Sequence, residues 1–538
     1  MFKSIEKDRK RWIVLGIMCF SLFVISIDNM VLNLALPAIS SDLGSSASDL
    51  QWITDAYVLV FAALLLTMGA IGDRYGRKKV LQLGLLLFGI GSLAAALSTS
   101  TVMLIGCRAF LGIGGAMIMP STLSILTDTF RDPQERAKAI AMWAAVFAVG
   151  ASIGPIIGGY LIEYFDWSAV FYINLPVVAV ALIGGYLVVR ESRGEGAPRP
   201  DAPGVLLSTG GLIALVYGII EAGETSWTDD TVLLCLGMAV VVLGMFVWWE
   251  KRSPAPMLPL RFFKNMSFTG ASLSMVLTAF AMMGSMFFMS QYLQSVQGYS
   301  PVASALRMLP MGGVIFVSTL LSAQIAQKIG NKLAVSLGIL IAGGGLMYFS
   351  LILNADTAYG VLVGGMTILA SGMGMVMSPA TNAIQGSLPV SRAGIGSAMN
   401  DTTRQVGGAL GVAVLGAIMN ATYLDKVADV NAIASLPGEA AEVVRSSVQG
   451  AHIIAAKLPA DISQIIIDAS NEAFTSGMTE AMFTGAIVMW ACSFITLILL
   501  PKRTKVLQER EEPSLVLEPS MGREYAAVPV FDEEIISE

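Results

Sequence analysis

Apolar runs of about the length that crosses a bilayer recur along the chain, separated by short polar stretches. A spanning helix needs roughly 20 mostly apolar residues. Fourteen runs meet that length, beginning near Trp12, Trp52, Val80, Val102, Ala139, Val170, Gly204, Val232, Phe268, Val302, Leu333, Val361, Ile395 and Met478. The pattern predicts an all-α integral membrane protein. The first run follows the basic segment MFKSIEKDRKR and lacks a small-residue cleavage site, so it reads as a retained span rather than a signal peptide.

Composition agrees with that pattern. Of 538 residues, 55% are hydrophobic and 13% charged, with a mean hydropathy of +0.71, against about 25% charged in soluble domains. The four cysteines, Cys19, Cys107, Cys235 and Cys492, each lie inside an apolar run without C-x-x-C spacing, which suggests neither a disulfide framework nor a metal site. The net charge of -6 comes largely from loops and from the Pro-interrupted tail, and it points to no nucleic-acid partner.

The placement of basic residues orients the spans. Most of the 33 Lys and Arg fall in the amino terminus, in alternate loops beginning with DRYGRKK, and in the carboxyl tail. The opposite loops hold Lys426, Arg445 and Lys457, all in one long segment. The positive-inside rule then puts both termini in the cytoplasm, which requires an even number of spans. The long segment, 420–475, is too polar to cross. Its stretches EAAEVVRSSVQGAHIIAAKL and ISQIIIDASNEAF have helical spacing and predict a short amphipathic hairpin at the outer surface, read as a structural cap. The single histidine, His452, lies there, so histidine is set aside as a proton carrier.

Three motifs sit on this map: GAIGDRYGRKK (Gly69 to Lys79) between spans 2 and 3, RAFLGIGGA (Arg108 to Ala116) in span 4, and GASIGPIIGG (Gly150 to Gly159) in span 5. Together with IDNMVLNLALP, QWITDAY, FYINLP, YLQSVQGYSPVASALRMLP and GSAMNDTTRQVGGALGVAVLG, they resemble the major facilitator superfamily, in its fourteen-span drug:proton antiporter branch. The resemblance covers about Trp12 to Leu500. It departs from the usual pattern at Met30, Leu111 and Gln327.

The resemblance implies a 12–190 six-helix bundle, a 191–264 linker with two inserted spans, and a 265–500 six-helix bundle, flanked by cytoplasmic ends 1–11 and 501–538. The hydrophilic break RESRGEGAPRPDAPG fits the first junction. It also implies export of quaternary ammonium compounds and dyes, driven by a proton gradient without a bound cofactor.

The residues themselves support specific roles. Asp73 falls at the expected cytoplasmic surface, close to where span 13 begins at Gly394, and a carboxylate is favoured at a helix amino terminus. With Gly69, Arg74, Gly76, Arg77, Lys78 and Asp128 it forms a candidate conformational latch; the bland alternative is that the basic cluster only sets topology. Gly150, Gly154, Gly158 and Gly159 recur at helical spacing and predict one flat face for close helix approach, with a bend allowed at Pro155.

Ionisable groups inside spans are costly and usually face a cavity or a partner. At 1.5 Å per residue, Asp28 lies about 12 Å, Asp55 about 5 Å and Arg108 about 9 Å from the outer ends of their spans. Two carboxylates and a guanidinium at similar depth would let a proton compete with a cation for one carboxylate, and the resemblance assigns cation binding, coupling and proton transfer to the same residues. Asp401 and Arg404 share one face of span 13, either as an inner acid or as a simple ion pair.

The expected function is proton-coupled efflux of hydrophobic cationic compounds. Proton-coupled uptake on the same fold is the alternative, though it does not predict GASIGPIIGG in span 5. A membrane sensor or enzyme is disfavoured, since neither a catalytic constellation nor a soluble signalling domain is found, and the lack of a Walker motif argues against an ATP-driven pump.

Overall fold

The computed structural model describes residues 2–43, 45, 47–194, 202–253, 256, 258, 260–428, 430–434 and 436–501. Part of the expected linker, 195–201, and nearly all of the expected tail lie outside the described residues. Those described are helical or irregular, without strands. The first half comprises α1 (Phe2–Leu43), α2 (Ala47–Tyr75), α3 (Arg77–Ala96), α4 (Thr101–Thr129), α5 (Pro133–Tyr164), α6 (Ala169–Tyr172) and α7 (Asn174–Val188). Next come α8 (Ala202–Glu224) and α9 (Asp230–Arg252). The second half holds α10 (Met266–Gln291), α11 (Pro301–Ile352), α12 (Tyr359–Gly386), α13 (Ala393–Ala428), α14 (Asn431–Ala434), α15 (Gly438–Ser446), α16 (Val448–Ala455) and α17 (Ala460–Leu499).

Local chemistry sets several of these boundaries. Asp132 starts α5 by accepting the amides of Gln134 at 3.0 Å and Glu135 at 2.9 Å, with Pro133 in the first turn. Ser300 and Pro301 start α11 in the same way. α11 is 52 residues long, about 78 Å if straight, which exceeds twice the roughly 30 Å hydrocarbon thickness. It is broken at Gly330, whose φ of 85° and ψ of 155° are non-helical. The expected starts Val302 and Leu333 fall on either side of that break.

Twelve helical stretches among the described residues are long and apolar enough to cross a membrane, with both arms of α11 counted as one and α5 outside the set. The expected hairpin differs more. α13 runs on to Ala428, and ISQIIIDASNEAF is the first part of α17, continuous with the final span rather than a separate arm. No proline interrupts Ala460–Leu499, so the helix has no reason to stop. Only α14, α15 and α16 form the short intervening segment.

Buried apolar side chains gather in two large clusters. One runs from Val14 to Val189; the other runs from Leu212 to Leu500 and takes in Ala63, Leu66 and Ala70 of α2. Between the halves, α5 packs on α11, and α2 and α4 pack on α13. α8 pairs with α9 and lies against both α2 and α13, with Thr67 and Thr209 hydroxyls 3.3 Å apart and Trp52 and Tyr217 rings 5.9 Å apart. Within the second half, Gly407 and Gly411 of α13 face the carbonyls of Val276 and Phe280 on α10, where any side chain would force the helices apart.

Candidate functional site

Asp28 of α1 and Arg108 of α4 form a buried ion pair, with Nη1 donating to Oδ2 at 2.6 Å and both side chains 1% exposed. α2 brackets the guanidinium: Arg108 Nε donates to the Ile53 carbonyl at 3.0 Å, and its centre lies 4.4 Å from the Tyr57 ring. Asp55 sits on the turn of α2 between those two contacts and is half-buried. The other oxygen of Asp28 accepts from Asn174 Nδ2 at 2.8 Å, and the same amide donates to Ser92 Oγ at 3.1 Å. α4 and α7 thus donate to one carboxylate on α1, and α2 and α3 hold those two donors in place. Burying an ion costs several kcal/mol unless it is paired and its remaining hydrogen bonds are met, and here both carboxylate oxygens have a donor.

A second constellation lies at the end of the molecule that carries the basic loops. Asp73 Oδ1 accepts from Arg77 Nε at 2.9 Å, Arg77 Nη2 at 2.7 Å and the Gly394 amide at 2.9 Å, while Oδ2 accepts from the Ile395 amide at 3.2 Å. The carboxylate therefore caps α13 from α2, and Gly69 lies so close to Gly394 and Ala398 that a side chain on it would collide. Gly76, with φ 125°, lies directly against the Glu191 carboxyl, which accepts the Lys78 amide at 3.1 Å. Arg77 and Lys78 bond elsewhere than at Asp128: Arg77 serves Asp73, Lys78 Nζ donates to the Tyr186 carbonyl at 2.8 Å, and Asp128 meets Arg131 at 3.4 Å. The reason is geometric, since Arg77 opens α3 one turn from Asp73. Arg74 is half-buried at the end of α2. Nearby, Arg136 Nε donates to Asn382 Oδ1 at 3.4 Å, a further link from α5 to α12.

The span-5 glycines do not form the single flat face expected. Gly150 faces Ser26 on α1, whereas Gly159 faces Val302 on α11. At about 100° per residue, nine positions place the two on opposite sides of the helix. Gly154 and Gly158 are buried, and the side chain of Pro155 lies outside the described ones. α5 thus slots between α1 of its own half and α11 of the other.

In the second half, Asp401 and Arg404 are both buried on α13. Asn400 Nδ2 donates to Asp401 Oδ1 at 3.2 Å, and Thr381 on α12 donates to Asn400 Oδ1 at 3.0 Å. Asp401 Oδ2 and both polar atoms of Gln385 are buried without a hydrogen-bond partner among the described residues.

Among known proteins, the Major Facilitator Superfamily profile matches residues 18–412. The chain belongs to the major facilitator superfamily. Two curated superfamily relatives are similar over most of their length: the multidrug efflux pump LfrA of Mycolicibacterium smegmatis, 33% identical over 90% of this chain and 95% of that one, and the tetracenomycin C resistance and export protein of Streptomyces glaucescens, 33% identical over 90% of each. The solved superfamily structure of the proton:xylose symporter XylE superposes with a TM-score of 0.58 at 13% identity, covering 90% of this chain and 96% of that one, which shows the shared fold.

Within this superfamily member, sequence reasoning missed Asn174, Ser92 and Glu191. Asn174 interrupts the apolar run FYINLPVV, and that interruption was the available signal. Ser92 carried none, since serine is common in membrane helices. Glu191 sat in the hydrophilic break already assigned to a linker.

Proposed function

We propose that the protein is a proton-coupled antiporter that exports hydrophobic cationic small molecules by alternating access. The observation that carries this reading is the Asp28 carboxylate, buried between Arg108 and Asn174 in a superfamily member whose curated relatives are named for drug efflux and export. A proton added to this buried acid removes the charge that pairs with the guanidinium, so loading can be tied to conformation. Asp55, half-buried on the adjoining turn of α2, is the second carboxylate for a cation. Asp401 is proposed as the inner acid, with Arg404 as its neighbour.

The halves rock about the seams of α5 with α11 and α2 with α13. The Asp73 cap on α13 is the latch that holds the basic end closed. Fourteen crossings arise when α5 and both arms of α11 each count once, and both termini then face the cytoplasm of a cell whose plasma membrane holds the protein. The membrane potential supplies about 2.3 kcal/mol per inward proton per 100 mV.

The test is transport by purified protein in proteoliposomes under an imposed pH gradient, comparing a cationic with an anionic dye. Gradient-driven movement of the cation, with proton release on substrate addition, is expected, and Asp28→Asn abolishes both at equal folded amounts. Transport indifferent to the gradient overturns the reading.

A further inference from the structure

We propose that Asn174 is the positioning residue of the Asp28 site, a side-chain amide that turns over when Asp28 gains its proton. The inference rests on the reading of Asp28 as a proton carrier. Asn174 is 1% exposed and opens α7 directly after a break from α6. Its Nδ2 spends both hydrogens, one on Asp28 Oδ1 at 2.8 Å and one on Ser92 Oγ at 3.1 Å. Its Oδ1 is buried and has no partner among the described residues. A buried acceptor left without a donor costs free energy, and its position on the very amide that holds the carboxylate calls for a reason.

The hydrogen-bond inventory supplies one. An ionised carboxylate only accepts, whereas a protonated one must also donate. Arg108 has no acceptor, so it cannot receive a carboxyl O–H. Asn174 can. Rotation by half a turn about its terminal torsion, which is broad and roughly two-fold, exchanges Nδ2 with Oδ1. The added proton bonds to Asp28 Oδ1 and donates to Asn174 Oδ1. Ser92, which both donates and accepts, turns its hydroxyl to follow. The two N–H···O bonds of Nδ2 give way to O–H···O bonds accepted by Oδ1, no covalent bond other than the new O–H forms or breaks, and Asp28 loses the charge that paired with Arg108.

The charged partner of Asp28 is Arg108 from α4, while Asp55 lies about 200° round α2 from both Ile53 and Tyr57, the residues that touch Arg108. α3 contributes the Ser92 hydroxyl, and α6 and α7 carry no Asp, Glu, Lys, Arg or His, their titratable groups being the exposed phenols Tyr172 and Tyr186. The charges of α5, Glu135, Arg136, Lys138 and Glu163, lie near its ends. Proton arrival is therefore passed to α3 and α7 through one amide.

The experiment uses the full-length protein in proteoliposomes and reads the pH profile of substrate-induced proton release, with KM measured alongside. Asn174→Ala and Asn174→Leu are expected to move the profile to higher pH by up to about one unit, because the bond lost to the charged carboxylate is about twice as strong as the one lost to the neutral acid, while KM changes less than twofold. Asn174→Ser, which can donate and accept, moves the profile back toward wild type. Infrared difference spectra of the wild type on acidification should show a hydrogen-bonded carboxyl band that vanishes in Asp28→Asn. A band at the frequency of a free carboxyl, a profile unchanged in Asn174→Ala, or Asn174→Ser behaving like Asn174→Ala overturns the role of Asn174. Normal proton release in Asp28→Asn overturns instead the proton-carrier reading beneath it.

Discussion

Asp73 and the amide of Gly394 meet at 2.9 Å although 321 positions separate them in the chain. The contact joins the last turn of α2 to the first turn of α13, where free amides and the helix dipole both favour a negative charge.

Removing that charge while keeping the shape tests the latch. A hydrogen bond to a charged group contributes about 1.5–3 kcal/mol, so Asp73→Asn should weaken closure of the basic end about ten- to hundredfold and slow turnover, with normal insertion. Turnover per inserted molecule is the measurement. Wild-type turnover at unchanged membrane abundance would remove the case for a latch.

Arg108 is held by a carboxylate, a backbone carbonyl and an aromatic ring at once. Arg108→Ala strands Asp28 as a buried charge and should cost about 3–5 kcal/mol of stability. Arg108→Lys keeps the charge but not the planar fork that reaches the Asp28 carboxylate and the Ile53 carbonyl together, so it should fold better than the alanine variant yet still fail to couple. Thermal unfolding in detergent, set beside transport per folded molecule, distinguishes the two; equal behaviour of both variants would contradict this account.

The two faces of α5 predict two different defects. Gly150 meets Ser26 within the first half, so Gly150→Leu overpacks a permanent contact and should lower stability by about 1–3 kcal/mol. Gly159 meets Val302 across the seam between halves, so Gly159→Leu should leave the fold intact and slow exchange. Swapped phenotypes, read by melting temperature and by transport rate, would refute the assignment of faces.

Gly330 occupies a backbone region that side chains rarely adopt. Gly330→Ala should therefore cost about 1–3 kcal/mol of stability, seen as a lower unfolding temperature, while the pH dependence of the surviving transport stays as in wild type.

Much of this was legible in the sequence, and the gaps have physical reasons. Apolar runs gave the helices because lipid demands backbone bonds satisfied within each span. Asp73 and the start of α13 were each visible, and a carboxylate near a helix start suggested their meeting. Asp28 and Arg108 stood out as charges where charge is expensive. Asn174 was overlooked because a neutral amide disturbs neither hydropathy nor topology. The faces of Gly150 and Gly159 were readable from the helical repeat, but shared smallness obscured their opposite directions. The extension of α17 toward Ala460 escaped notice because polar residues were taken to end a helix, when they only end its lipid-facing part.

α8 has a consequence for how solutes reach the protein from within the bilayer. It lies across the seam of α2 and α13 and is backed by α9, so that flank is walled off from the acyl chains. A molecule diffusing in the bilayer meets α8 and α9 on that flank rather than the seam of α2 and α13.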